Sequence, residues 1–398
     1  MTNELLLQIA KEYGTPTYVY DADKITEQYA VLKNAFNTDK VKIFYACKAL
    51  TNISILHHIK TLGANVDCSS INEVKLALHV GFEPSRILYT SNGIAFEEID
   101  EAQQLGVIVN IDSISNLEKF GKKYGNTAGV GIRFRPNIMA GGNLKISTGH
   151  EKSKFGIPVD QMDELLAIIN QYDLRIVNMH IHTGSDIKDA DVFIKGIEVL
   201  SEIVPLFPYL KVIDLGGGFK VAYKGGDPVL NVEELSQKVL TFFNSNDILK
   251  DKEIWFEPGK FLVSECGYLL TQVNVLKATK NVKFASINSG FNHLIRPMFY
   301  DAYHRIENIS NPKAEIKEYA IVGNICETDT FAWDRPIAEI REGDYLVFKN
   351  AGAYGFEMSS NFNSRFKPAE IMVKSNTPHL IRKRDVFEDL LKNQVLIK

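Results

Sequence analysis

Cysteine is scarce in this sequence. Four occur among 398 residues, Cys47, Cys68, Cys266 and Cys326, and none forms a CxxC pair. That spacing speaks against a disulfide framework and a cysteine-based zinc site, and it fits a reducing, cytoplasmic setting. Long apolar runs are also missing. Nothing approaches the ~18 consecutive apolar residues that a membrane-spanning helix needs, so no membrane role is expected. The opening MTNELLLQIAKEYG has neither a basic start nor an unbroken apolar stretch, so it predicts a short amphipathic helix and not a secretory leader. A strong charge of one sign is absent too. The 45 Lys and Arg against 49 Asp and Glu leave a net charge of −4, with no basic tail or stripe to engage nucleic acid. No low-complexity linker and no short repeat breaks the chain.

What is present is an ordinary mix for a globular enzyme, 45% hydrophobic and 24% charged. Apolar β-type runs alternate with helical patterns. The runs are 41–46, 64–68, 86–90, 107–112, 129–136, 176–182, 211–217 and 253–259. Several helical segments between them end in glycine, which suits a helix C-terminus. Eight strands alternating with helices predict a parallel sheet closed into an α/β, (β/α)8 TIM barrel. After about residue 264 the helices thin out, and strand-like segments predict a mostly antiparallel β domain, barrel- or sandwich-like. The expected division is residues 1–22 as an N-terminal segment joining the β domain, 23–263 as the barrel and 264–398 as the β domain.

Chemistry in such barrels sits at the C-terminal strand ends. Strand 1 ends at Lys48, strand 6 at His180 and His182 followed by Ser185, strand 7 at Gly216, Gly217 and Gly218, and strand 8 at Glu257. Each alone has an ordinary explanation: a solvated lysine, a core histidine, a turn. Together they suit pyridoxal phosphate. An amine can hold its aldehyde as a Schiff base, glycine N–H groups can approach its phosphate, an imidazole can stack on its ring, and a carboxylate can keep its ring nitrogen protonated. The rival within this fold is a metal-dependent hydrolase built on the H-x-H pair. No further His or Asp completes that site except Asp112 at the end of strand 4, so no metal is expected.

Motifs in order along the chain sharpen the choice. They are GTPTYVYD (14–21), YACKA (45–49), VDCSSINEVKLAL (66–78), KSKFGI (152–157), HIHTGS (180–185) and DLGGGF (214–219). Then follow EPGKFLVSECG (257–267), RPMFYDAYH (296–304), GNICET (323–328) and AGAYGFEMSSNFNSR (351–365). In these the chain resembles the alanine-racemase-like, fold-type III pyridoxal-phosphate decarboxylases, and among them the diaminopimelate decarboxylases. The resemblance implies pyridoxal 5′-phosphate as cofactor and conversion of meso-2,6-diaminopimelate to L-lysine and CO2, the last step of lysine biosynthesis. It implies that Lys48 carries the cofactor, His182 stacks on it, Ser185 and Gly216 to Gly218 hold the phosphate, and Glu257 faces the ring nitrogen. Gly259, Lys260 and Tyr354 would adjoin cofactor or substrate. Arg296 and Tyr300 would grip a substrate carboxylate, and Glu327 would read the distal amino group. Cys326 would reach the partner's site in a homodimer with shared active sites.

The sequence departs from the family pattern at Lys260, where arginine is usual. Lysine keeps the charge and loses the planar two-pronged grip. The resemblance leaves as alternatives another fold-type III decarboxylase, acting on carboxynorspermidine, ornithine or arginine, or a non-catalytic pyridoxal-phosphate-binding protein. RPMFYDAYH and CET favour diaminopimelate, and the second domain disfavours a simple cofactor carrier.

Overall fold

A computed structural model describes residues 1–136 and 153–397, so Lys152 of the KSKFGI motif lies outside the described residues. The chain divides into two compact units. One comprises Glu27–Val221 and Pro228–Leu262, and the other Met1–Thr26, Ala222–Asp227 and Val263–Lys398.

The first unit is a closed parallel barrel. Its ring strands are Val41–Ala46, Asn65–Cys68, Ile87–Thr90, Ile108–Ile111, Gly129–Arg135, Arg175–Ile181, Val212–Asp214 and Glu253–Phe256, and a two-residue strand, Ile157–Pro158, pairs with Gly129–Arg135. Each pairs in parallel with its neighbour, and the pairing of Glu253–Phe256 with Val41–Ala46 closes the ring. These strands are nearly continuous apolar runs because helices cover their outer faces while side chains fill the interior. The interior also holds a polar ladder: Asn178 Nδ2 donates to Asn110 Oδ1 at 2.9 Å, and Asn110 Nδ2 donates to Thr90 Oγ1 at 2.9 Å.

Local signals set the helix starts. Ser70 caps helix Ile71–His79, its Oγ accepting the Glu73 N–H at 3.2 Å, while the Glu73 carboxylate accepts the Ser69 N–H at 2.6 Å. Asn231 caps helix Val232–Ser245 by accepting the Glu234 N–H at 3.1 Å.

The second unit is a nine-stranded sheet. Strand Thr17–Asp21 lies between Gly267–Ala278, antiparallel to it, and Ala369–Lys374, parallel to it. A second parallel pair joins Lys283–Ile287 to Ile316–Val322, and the other pairings are antiparallel. The N-terminal helix Asn3–Tyr13 buries Leu6, Ile9 and Ala10, at the spacing of one helical face, against Val19, Leu270, Val347 and Ile371. Burying each such Leu or Ile contributes about 1.5–3 kcal/mol. The units divide at 26/27 and 262/263. Residues 222–227 lie inside the span expected for the barrel and instead group with the β unit.

Candidate active site

In the barrel unit the first and last strands lie side by side, Phe256 opposite Ile43, and the Ala46 N–H donates to the Pro258 carbonyl at 3.2 Å. Lys48 follows strand 1 in a short 3-10 turn, Cys47–Ala49. Its Nζ lies 3.2 Å from Asp67 Oδ2, and Asp67 is fully buried at the end of the second strand. Burial, and next the charge of Glu257, push the Asp67 carboxyl up to about 7 against the pull of Lys48.

Glu257 is 6% exposed, and its Oε2 lies 3.2 Å from His180 Nε2. Burial alone would raise this carboxyl. Its contact with His180, and after that the charge of Lys48, outweigh burial and hold it below the ordinary carboxylate range. Burial pushes His180 down, so a neutral ring donates from Nε2 to the carboxylate. Asp214, also buried, is pushed well above the carboxylate range by burial and by Glu257. Its Oδ1 accepts the Gly216 N–H at 2.9 Å. His180, Asp214 and Glu257 place ligand-type atoms within 4.8 Å of one another, a set that could also hold a cation. The H-x-H pair is not joined in that set. His182 Nδ1 instead accepts the Gly217 N–H at 3.2 Å, which leaves its proton on Nε2. Desolvation, then Arg133 and Lys48, lower His182 well below the usual histidine range.

The glycine triplet is there for space. A Cβ on Gly217 would lie 2.1 Å from the Glu257 carbonyl oxygen, and one on Gly218 2.1 Å from the Gly184 oxygen. Gly216 and Gly218 also take the left-handed backbone, at φ 66° and 97°. The loop carrying Ser185 is tied to this turn: the Ile187 N–H donates to the Gly218 carbonyl at 2.8 Å, and the Lys220 N–H donates to the Ile187 carbonyl at 3.1 Å. Lys260, buried, pairs with Asp186 beside Ser185 at 2.6 Å. Gly259 leaves room for Ala46 and Ala49, each 3.3 Å from where its Cβ would be.

The β unit holds the other expected residues. Arg296 opens helix Arg296–Tyr300 and is 7% exposed. Its Nη1 donates to the Tyr223 hydroxyl at 2.9 Å and lies 3.5 Å from His304 Nε2. No carboxylate lies within ion-pair distance of it among the described residues. Tyr300 closes that helix, half-buried, against Phe299. Cys326 and Glu327 are exposed. Asn363 holds Cys326 at both ends, its Oδ1 accepting the Cys326 N–H at 3.0 Å and its Nδ2 donating to Sγ at 3.1 Å. Tyr354 is half-buried and takes a left-handed backbone, φ 57°.

Residues 22–264 match the family model described as pyridoxal-dependent decarboxylase, pyridoxal binding domain. Over 98% of its length the chain is 37% identical to a diaminopimelate decarboxylase of Methanothermobacter thermautotrophicus, covering 93% of that protein. The chain belongs to the diaminopimelate decarboxylase family of pyridoxal-dependent decarboxylases. The structure agrees. It superposes on the Helicobacter pylori diaminopimelate decarboxylase crystallised with L-lysine with a TM-score of 0.88, at 33% identity, covering 97% of this chain and 98% of that one. A lysine/ornithine decarboxylase from Vibrio vulnificus, at 21% identity and a TM-score of 0.80 over 94% of this chain and 98% of that one, shares the fold.

The barrel unit of this family member fits pyridoxal 5′-phosphate. Glu257 Oε1 is buried without a hydrogen-bond partner among the described residues. Leaving such an acceptor unmet costs about 1–3 kcal/mol, and a protonated ring nitrogen would meet it. An amine, an imidazole and a glycine turn too tight for any Cβ accompany it. Sequence reasoning missed Asp67, Arg133, Asp214, Asp186, Tyr223 and His304. Asp67, Asp214 and His304 stand inside the quoted motifs, so their positions are visible in the sequence and their partners are not. Arg133 is a charge in mid-strand, at 7% exposure, which faces Glu257, Asp112 and Asp67.

Proposed function

We propose that the chain decarboxylates meso-2,6-diaminopimelate to L-lysine. The observation that carries the substrate assignment is Arg296, a buried guanidinium whose close partners are neutral. A buried cation without an anion is costly, and a substrate carboxylate would supply the anion. A diamine precursor with a single carboxylate, such as ornithine, gives Arg296 nothing to hold once that carboxylate is positioned to leave.

In the reaction the bond between Cα and one carboxylate breaks, CO2 departs, the electron pair stays on Cα, and a proton takes the vacated position. Pyridoxal phosphate, when bound, supplies the electron sink that makes this bond breakable. Lys48 is the residue assigned to carry it, with Asp67 as the counterion of the free amine. Glu257, kept anionic by His180 and Lys48, is assigned to the ring nitrogen, and His182 to the ring face. Ser185, Gly216, Gly217 and Gly218 are assigned to the phosphate, and Gly259, Lys260 and Tyr354 to the surroundings of cofactor and substrate. Tyr300 supports Arg296 in binding the second carboxylate, and Glu327 offers an anion to the distal ammonium. Cys326 or Lys48 delivers the proton. Cys326 and Glu327 are exposed, which suits residues that serve a second copy in a homodimer.

The test is CO2 release from meso-diaminopimelate, ornithine, arginine and carboxynorspermidine, measured side by side on the holoenzyme. Preference for meso-diaminopimelate is expected. Equal or faster release from a monocarboxylate would overturn the assignment.

A further inference from the structure

The proposed role of Arg296 raises a physical question that its own position does not answer. A guanidinium has five N–H donors in one plane and a long flexible stem, so a buried one must be held by something. An acidic neighbour is the usual means, but it would neutralise the charge needed for a ligand. Here the holding groups are neutral. The Tyr223 hydroxyl accepts from Nη1 at 2.9 Å, and the guanidinium carbon lies 5.1 Å from the centre of the Tyr223 ring. His304 Nε2 lies 3.5 Å from the same Nη1.

The state of His304 follows from its other nitrogen. Nδ1 lies 2.9 Å from the Lys349 carbonyl, which only accepts, so Nδ1 carries the proton and Nε2 presents a lone pair to Arg296. Burial, with Arg296 next, pushes this imidazole down to about 3, so it adds no second positive charge. Tyr223 is itself fixed. Its hydroxyl lies 3.2 Å from Ser264 Oγ, its ring meets the His304 ring edge-on at 5.8 Å, and its N–H donates to Asp227 Oδ2 at 3.0 Å. Asn350 Nδ2 donates to the Ala222 carbonyl at 2.6 Å, anchoring the start of the same short segment. The six residues 222–227 that leave the barrel's span for the β unit thus deliver one side chain to Arg296.

We infer that Tyr223 and His304 are positioning residues that form a neutral clamp on Arg296, fixing its direction while leaving its charge for an anionic group at the second end of the substrate. This rests on the proposed role of Arg296 as the carboxylate grip. The clamp makes Tyr223 a determinant of specificity for a substrate bearing two carboxylates.

The test compares Tyr223→Phe, His304→Gln, His304→Leu and Arg296→Ala holoenzymes. Phenylalanine keeps the ring under the guanidinium and removes the hydroxyl. Glutamine retains an acceptor, and leucine does not. For Tyr223→Phe the expected result is a KM for meso-diaminopimelate raised about tenfold with kcat within about twofold. Inhibition by L-lysine, which keeps one carboxylate, should weaken about as much, and inhibition by cadaverine, which has none, should not change. His304→Leu should repeat this pattern and His304→Gln should largely restore the parent values. Wild-type KM in Tyr223→Phe alongside an impaired Arg296→Ala would overturn the clamp and leave the role of Arg296 standing. Wild-type KM in Arg296→Ala would overturn that role and the clamp with it. Equal weakening of lysine and cadaverine would mean general damage and would also overturn the clamp.

Discussion

Gly217→Ala is a perturbation whose consequence can be worked from the structure. Unlike its neighbours Gly216 and Gly218, Gly217 does not use the left-handed backbone, so alanine fits its dihedrals and only space is at issue. The new methyl would sit 2.1 Å from the Glu257 carbonyl oxygen and 3.0 Å from its carbonyl carbon. That is about 1.3 Å inside the 3.4 Å at which ordinary contact begins. The obstacle is backbone, so no side chain can rotate away. Relief requires the glycine turn and the end of strand 8 to separate, which stretches the hydrogen bond from the Glu257 N–H to the Gly216 carbonyl, now 2.8 Å. Overpacking of this kind costs about 1–3 kcal/mol. The same movement shifts Glu257 and the Gly217 N–H that orients His182. Urea unfolding of the cofactor-free protein should show the stability loss, and titration with pyridoxal phosphate should show weakened binding. Gly225→Ala is the control, since nothing lies within 4 Å of that position. Wild-type stability and cofactor affinity in Gly217→Ala would refute the claim that the triplet is there for space.

Glu257→Gln removes the anion and keeps the shape, and losing a hydrogen bond to a charged group is worth about 1.5–3 kcal/mol, so kcat/KM should fall roughly 10- to 160-fold while the protein stays folded. Steady-state rates with circular dichroism check this, and an unaltered rate counts against Glu257. Stability should also fall with acid through two histidines. Burial pushes His304 down to about 3 and His293 to about 4, whereas an unfolded imidazole titrates near 6.5. Below that value the unfolded chain takes up protons that the folded chain refuses, so stability is full above about pH 6.5 and drains away as pH falls toward 3 to 4. Each group contributes at most about 1.4 kcal/mol per pH unit, and His293→Gln should flatten the measured slope between pH 4.5 and 6.

Much of the barrel was legible because its chemistry is periodic. A strand such as Val41–Ala46, covered by helices outside and by packed side chains inside, reads as an apolar run broken by Lys42 alone. Strand ends then follow, and with them Lys48, His182, the glycine triplet and Glu257. The excursion 222–227 was not legible. VAYKGGDP carries the Gly and Pro of any loop, and nothing local says that Tyr223 packs against a guanidinium 73 residues later. Asp67 and Asp214 were missed for a related reason. An acid at a strand end is unremarkable until burial and a like charge at a nearby strand end are known, and both come only from the closed sheet. The β unit was recognised as strands, but its two parallel pairs join segments that are distant in sequence, and no local pattern encodes such a partner.

Borohydride reduction of the purified holoenzyme, followed by peptide mass mapping, bears most directly on whether the lysine just past the first barrel strand and the glutamate just past the last serve one bound cofactor. The expected result is a single pyridoxyl-phosphate adduct on Lys48, formed equally in the Arg296→Ala variant. An adduct on any other lysine, or none at all in a sample that still turns over substrate, would contradict it.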